Sequence, residues 1–124
     1  MNEARLHRML CKARRVDNNE WIIGYYYMSY SVRNGVRTDV HLIHCIEDDE
    51  NYIININTLC QNTGLVDKNG KDIWENDKIR CVFFDREVHG VVYYAYGCFY
   101  ISADVVSDNQ LCMFDNWEVV GCAV

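Results

Sequence analysis

The stretch CQNTGLVDKNGKDIWENDKIRC, residues 60–81, has more turn-forming residues and more regular alternation than any other part of the chain. Its Asn69-Gly70 pair is a dipeptide that favours positive φ at both central positions of a tight β-hairpin. Asp67 and Asp72 flank this pair, where carboxylates can accept hydrogen bonds from nearby backbone N–H groups. The stretch therefore predicts a rigid hairpin that serves as scaffold and binds no ligand.

The rest of the sequence is typical of β-strands joined by short turns. The chain has no proline and 7 glycines, so its turns must use Asn, Asp and Gly. Asn34-Gly35 is a second hairpin dipeptide. The apolar, β-branched and aromatic segments that predict strands are WIIGYYYMSY, TDVHLIHCI, NYIININ, KIRCVFF, VHGVVYYAYG, CFYIS and NWEVVGCAV.

The first fifteen residues allow two interpretations. Leu6, Met9, Leu10 and Ala13 follow the i, i+3, i+4, i+7 spacing of a helical stripe, so periodicity alone favours a helix there. A strand is the alternative. Residues 4–15 stay open between the two on this pattern.

The composition indicates one folded domain with a sizeable core. The chain has 124 residues, 50% of them hydrophobic, which is too apolar for a disordered protein.

A net charge of −6 argues against a surface built mainly to bind phosphates. One basic cluster stands against this average, and the acidic run Glu47 to Glu50 has the opposite sign. The cluster consists of Arg5, Arg8, Lys12, Arg14 and Arg15.

The seven cysteines predict reduced thiols in a cytoplasmic protein. Their number is odd and no CxxC pair occurs, so neither a disulfide scaffold nor a zinc site is indicated. The N-terminal residues carry charges where a signal peptide needs an apolar core, and no apolar run is long enough to span a bilayer. We expect no cofactor, no metal and no membrane association.

The stretch NTGLVDKNGKDIWENDKIR, residues 62–80, resembles the signature of the YopX family of small phage and prophage proteins, a run like Q-x-T-G-L-x-D-K-N-G-K-x-I-x-E-G-D-x-V. Asn76 stands where that family usually has glycine, and Asn is the other residue common at positive φ. ARRVDNNEWIIGYYY upstream, and GVVYYAYGCFYI and WEVVG downstream, are also similar to the family. The positions of the turn motif on which we rely are Gln61, Thr63, Gly64, Leu65, Asp67, Lys68, Asn69, Gly70 and Asp77.

The resemblance implies a mainly β fold in a single YopX-like domain, 1–124. Residues 1–60 would form a strand-rich N-terminal lobe and residues 61–124 a lobe with an SH3-like, partly open β-barrel. It also implies that the segment RLHRMLCKARRV is partly strand. The family supplies no catalytic residues to carry over, so every site must be argued from this sequence.

No arrangement of residues predicts catalysis. His41 and His44 are three residues apart in HLIH, and on a strand they point to opposite faces, which separates two possible metal ligands. Cys45 follows His44 directly, and adjacent strand residues also face apart. His89 is interpreted as a surface histidine, and Asp48 with Asp49 as a solvated loop tip. We therefore expect a protein that is not an enzyme.

Aromatic residues are the remaining candidates for a binding surface. Tyrosines and phenylalanines fall in consecutive runs on the predicted strands, so alternation must turn some of them outward, unless they cap a sheet face within the chain. The candidate interface residues are Arg5, Arg8, Arg14, Arg15, Tyr94, Tyr96 and Tyr100.

Two functions of different classes follow. The first is a non-enzymatic phage or prophage accessory protein in the cytoplasm of the bacterial host, which binds a host or phage protein or, with preference, itself as a homo-oligomer. The alternative is a nucleic-acid-binding module that uses the basic cluster and the barrel aromatics. We favour the first because the net charge of −6 repels a polyanion and because acidic residues such as Glu47 to Glu50 could neutralise the cluster.

Overall fold

The computed structural model of the protein describes residues 10–103 and 109–124, and in them every pair of neighbouring strands is antiparallel. The strands are β1 (Cys11–Arg14), β2 (Trp21–Arg33), β3 (Val36–Cys45), β4 (Asn51–Ile53), β5 (Cys60–Val66), β6 (Asp72–Trp74), β7 (Asp77–Phe83), β8 (Arg86–Ala95), β9 (Cys98–Ser102), β10 (Asn109–Gln110) and β11 (Asp115–Cys122). Two single-turn 3₁₀ helices, Ile56–Thr58 and Leu111–Met113, complete the regular structure. The mainly β fold is confirmed.

The chain divides into two compact units, Met1–Gln61 and Asn62–Val124, and the division falls within β5. In the first unit β4, β3, β2 and β1 pair in that order, and the first two residues of β5 pair with β1. A small core forms around Ala13, Ile43 and Ile54. Because Cys11–Arg14 is a strand paired with β2, the helical interpretation fails there; residues 1–9 lie outside the described residues.

In the second unit the rest of β5 pairs with β6, and a separate sheet has the strand order β10-β9-β8-β7-β11. The strand predicted for KIRCVFF is confirmed as β7, in which Ile79 and Cys81 are fully buried in the core of this unit while Lys78 is exposed. In the described part of the chain β10 and β11 are the edges of this sheet, so it is open and does not close into a barrel. Its likeness to an SH3 barrel stays a prediction.

Three hairpins turn through two residues that both have positive φ. Asn34-Gly35 does so as its sequence predicts, with φ of 50° and 76° and with Arg33 paired to Val36. The other two such turns are Phe84-Asp85 and Tyr96-Gly97. Asn76 also has positive φ, at 71°, which confirms that asparagine can replace glycine there.

The prediction for Asn69-Gly70 is wrong in one respect: only Gly70 has positive φ, at 80°. The N–H of Gly70 donates to the carbonyl of Asp67 at 3.0 Å, which places Lys68 and Asn69 at the centre of the turn and Gly70 after it. This is the hairpin with a glycine bulge, in which one residue takes the left-handed conformation instead of two. Asp72 also differs from expectation, because its carboxylate accepts from the side chain of Asn62 instead of a backbone N–H.

One predicted strand is shorter than its sequence suggests. In NYIININ, residues 51–57, pairing ends at Ile53, and a 3₁₀ helix begins at Ile56. The side chain of Asn55 accepts from the backbone N–H of Asn57, and this local bond competes with a continued strand. Ile54 is therefore buried and Ile56 exposed, where alternation placed them on one face.

Replacing Gly70 with valine should destabilise the protein by about 1 kcal/mol or more, because a β-branched residue is strained at positive φ. No neighbouring atom lies within 4 Å of the position that a Cβ would take, so strain alone is measured. Thermal melts of Gly70→Val and of the control Asn69→Ala, at a negative φ, test this. A variant that melts like the parent but loses a binding partner would contradict the scaffold interpretation.

Candidate functional site

The buried carboxylate of Asp67 organises the turn motif. Its Oδ1 accepts from the backbone N–H groups of Asn69 and Lys71, both at 2.9 Å. Its Oδ2 accepts from the backbone N–H of Val119 at 3.0 Å, in β11. One side chain thus fixes the hairpin loop and joins it to the last strand, and both oxygens are occupied by backbone donors.

The pKa of Asp67 reflects two opposed effects. Burial raises the pKa, but the backbone N–H groups of Val119, Lys71 and Asn69 outweigh it and hold the pKa below the usual value for aspartate. A carboxyl whose pKa is lower in the folded state stabilises the fold above its unfolded pKa, about 3.9. That stabilisation is lost as the pH falls through the folded pKa. Asp67 is held charged by structural bonds and is not poised to transfer protons near neutral pH.

Two further polar residues of the motif are buried and satisfied by the backbone. The hydroxyl of Thr63 donates to the carbonyl of Ile73 at 2.7 Å, between β5 and β6. The carboxylate of Asp77 accepts from the N–H of Trp74 at 2.8 Å and closes the turn between β6 and β7. The remaining motif residues also contact their own chain: Gln61 pairs with Cys11 in the sheet, the N–H of Gly64 donates to Asn62, Leu65 packs on the core, and Lys68 binds Glu118.

A cavity of about 410 Å³ lies beside this motif, and its charges are mutually neutralised. Glu118 binds Lys68, with Nζ and Oε2 3.3 Å apart, and also binds Arg80. Arg80 contacts Glu87 in addition, at 3.5 Å. The bond from Lys68, together with the charge of Arg80, lowers the pKa of Glu118. Both cations have carboxylate partners, so this cavity is not arranged to bind an anion.

The histidines do not form a common site. His41 hydrogen-bonds the hydroxyl of Tyr26 through Nδ1 at 2.7 Å, whereas His44 bonds Asn51 at 2.9 Å and Asp49 at 2.7 Å. These bonds, the one to Asn51 first, raise the pKa of His44. Residues 10–103 and 109–124 contain no group of three or more side chains able to hold a metal ion. The seven cysteines, all in the described ranges, are unbridged.

The described members of the basic cluster lie against aromatic rings. Lys12 and Arg14 contact the ring of Trp21, at 4.8 Å and 4.6 Å from its centroid. Arg15 lies 3.9 Å from the ring centroid of Tyr52, and its guanidinium binds both carboxylate oxygens of Asp17. Arg5 and Arg8 lie outside the described residues.

Arg15 of this cluster binds Asp17 and not the run Glu47 to Glu50, which is one of the acidic partners expected for the cluster. Asp17 is the carboxylate that binds Arg15, because it lies only two residues away on the turn that follows β1. Asp48 instead hydrogen-bonds the hydroxyl of Tyr52, the ring on which Arg15 lies. This bond holds the pKa of Asp48 below its usual value. Asp48 of the acidic run and Arg15 of the basic cluster therefore both contact Tyr52.

The three candidate tyrosines do not form one surface. Tyr94 pairs with Phe99, and Tyr100 pairs with Tyr93 in the next position of the ladder, so Tyr94 and Tyr100 point to opposite faces of the sheet. Tyr96 lies in the turn between β8 and β9 and is 97% exposed. These tyrosines belong to the second unit, and the described members of the basic cluster belong to the first.

The largest group of exposed apolar side chains is on the hairpin of β2 and β3. β1 pairs with β2 only as far as Gly24, and β4 pairs with β3 only at residues 42–44. In the part of the chain that the structure describes, no third strand pairs with residues 28–40, which we call the β2–β3 arm. Met28, Tyr30 and Val32 share one face of it and are 52%, 59% and 58% exposed.

The sequence correctly predicts the two strands of the arm. It does not predict which strands lie beside them, and for this reason it does not identify the arm as a site. Alternation tells which side chains share a face and does not tell how many strands cover that face. The exposure becomes visible only in the structure, where the 13 residues of β2 far exceed the four residues of its partner β1.

Comparison with known protein families gives a match over most of the chain. The family model described as YopX protein matches residues 13–123, most of the chain. Searches of curated proteins and of solved structures find no match. Among the described residues, no helix has the length and apolarity needed to cross a membrane.

Replacing Asp67 with asparagine should lower the free energy of unfolding by about 2 kcal/mol at pH 7, because an amide cannot accept all three backbone bonds and brings its own donors against them. The loss should begin to shrink below pH about 4, where the carboxyl of the unfolded chain takes up a proton, and should shrink further as the pH falls through the lower pKa of the folded state. Denaturant melts between pH 7 and 3 measure this, with the exposed Asp85→Asn as control. A difference that does not change with pH would contradict the role given to the charge.

Proposed function

This chain belongs to the YopX family, and from that premise we propose that it is a non-enzymatic accessory protein that acts by binding, through self-association of the β2–β3 arm. Its place of action is the cytoplasm of the bacterial host of a phage or prophage. In this proposal the turn motif around Asp67 is structural, and the binding surface lies in the first unit.

The observation that carries the proposal is the exposure of the arm on both faces. Every residue from Met28 to Asp39 is exposed, although the arm contains methionine, tyrosine and valine side chains. A two-stranded hairpin without a third strand or a covering layer is only marginally stable in water. Apolar side chains grouped on such an element indicate a surface that a partner covers.

A second copy is the partner that fits the charges of the arm. Arg37 binds Asp39 with Nε and Oδ1 3.1 Å apart, and its guanidinium lies 4.3 Å from the ring centroid of Tyr30. The arm therefore has both signs of charge next to its apolar stripe. Because Arg37 and Asp39 neutralise each other within one chain, the arm does not add to the repulsion expected between two chains of net charge −6.

Two observations support this proposal over the alternatives. Lys12, Arg14 and Arg15 already contact aromatic rings or a carboxylate, so binding phosphates would require those contacts to be exchanged. The histidines His41 and His44 bond to different partners on opposite faces of β3, which does not favour acid–base catalysis.

Light scattering coupled to size exclusion tests the self-association. The wild-type chain should form a dimer or larger oligomer at micromolar concentration. Tyr30→Ser combined with Val32→Ser should weaken association by about tenfold or more, because the apolar area that drives it is removed. Val120→Ser, at an exposed valine of β11, is the matched control and should leave the mass unchanged. A wild-type monomer at all concentrations would refute the proposal.

Fluorescence anisotropy with a labelled oligonucleotide tests the nucleic-acid alternative at two salt concentrations. We expect no binding at moderate salt. If the basic cluster did bind phosphates, affinity would fall steeply with salt, and replacing Arg14 and Arg15 with alanine would flatten the log–log slope by about 2. Salt-sensitive, micromolar binding by a monomer would reverse the order of the two functions.

A further inference from the structure

In the residues that the structure describes, no strand pairs with the edge of β2 beyond Gly24, and this edge has a definite pattern of hydrogen-bonding groups. The Asn34-Gly35 turn has two residues, so the flanking pair Arg33 and Val36 exchanges both backbone bonds. Bonded pairs alternate along an antiparallel ladder, and the odd-numbered residues of β2 therefore point their N–H and C=O groups toward β3. The same groups of Met28, Tyr30 and Val32 point away from β3, toward the edge of the arm.

This edge has none of the features that protect exposed strands. From Tyr25 to Arg33 it contains no proline, no lysine and no bulge, and its only charge is Arg33 at the end. Natural proteins normally block a long, flat, apolar edge in one of these ways, because such an edge pairs with other strands. An edge that no described strand covers is suited to accept a strand.

We propose that β2 of one copy pairs antiparallel with β2 of a second copy, around a twofold axis that passes at Ser29. This inference rests on the proposed self-association and adds how it occurs. In this register Met28 lies opposite Tyr30 of the partner subunit, and both have their backbone bonds directed to the shared edge. Ser29 then lies opposite the partner's Ser29, where side chains approach most closely and small residues fit best.

The side chains in this register are complementary on both faces. Tyr26 lies opposite the partner's Val32 on the face of Met28 and Tyr30, so aromatic and aliphatic groups meet there. On the other face Arg33 lies opposite the partner's Tyr25, which allows a cation–π contact. Arg14 on Trp21 and Arg37 on Tyr30 already form such contacts within the chain. No like charges are opposed along the strand, which favours a second copy over an unrelated strand.

Amide hydrogen exchange, measured by NMR on the full chain, tests the pairing. It is measured at protein concentrations above and below the dissociation constant of the oligomer. The amides of Met28, Tyr30 and Val32 should exchange about tenfold or more slowly in the associated state than in the dilute state. Ser29 and Ser31, bonded within the arm, should change less. If the protein associates but the first three amides exchange equally fast in both states, the copies meet by their faces, and the strand pairing is wrong while self-association stands.

Two further outcomes are decisive. Protection of Met28, Tyr30 and Val32 that does not depend on concentration would mean that the edge is covered within one chain, which overturns the inference. Val32→Pro removes an N–H that points to the edge and should weaken association by about tenfold or more, whereas Val32→Thr should not. Far-UV circular dichroism shows whether the arm stays folded. A folded Val32→Pro variant with unchanged association would refute the pairing.

Discussion

The buried carboxylate of Asp67 joins the first hairpin of the second unit to its last strand. Asp67 accepts three backbone hydrogen bonds, two from its own turn and one from Val119, 52 residues away in sequence. The carboxylate can stay charged in the interior because these donors replace water. The hairpin that precedes the sheet and the strand that ends it thus depend on one side chain, and this accounts for the concentration of turn-forming residues around it.

The first unit is organised differently, by cations that lie on aromatic rings. Lys12 and Arg14 cover Trp21, and Arg15 lies between Tyr52 and Asp17. These contacts bury the aliphatic stems of long side chains over apolar surface while the charges stay near water. A cluster that looks like a phosphate-binding footprint in the sequence is thus, in its described members, part of the packing of a small sheet.

The sequence predicts those features that depend on a local pattern of residues. It does not predict features that depend on side chains or strands elsewhere in the fold. Strand positions and the Asn34-Gly35 hairpin follow from alternation and from the conformational preference of two residues. Asn69-Gly70 has the same dipeptide but a different turn, because the carboxylate of Asp67 accepts from the backbone N–H groups of Asn69 and Lys71 and so fixes a longer loop. The exposure of the β2–β3 arm could not be predicted, since it depends on where β1 and β4 stop pairing.

The turn at Phe84-Asp85 shows an aromatic residue that gains little for the fold. Phe84 has a φ of 48°, a conformation that costs a bulky L-residue about 1 kcal/mol or more. Its ring is mostly solvated and contacts Phe83 edge-on, with centroids 4.5 Å apart, an arrangement worth about 1 kcal/mol. The conformational cost of Phe84 and the energy of its contact with Phe83 are therefore similar in size. Stability therefore exerts almost no selection for phenylalanine at this position, and variation there among natural sequences would report on constraints other than folding.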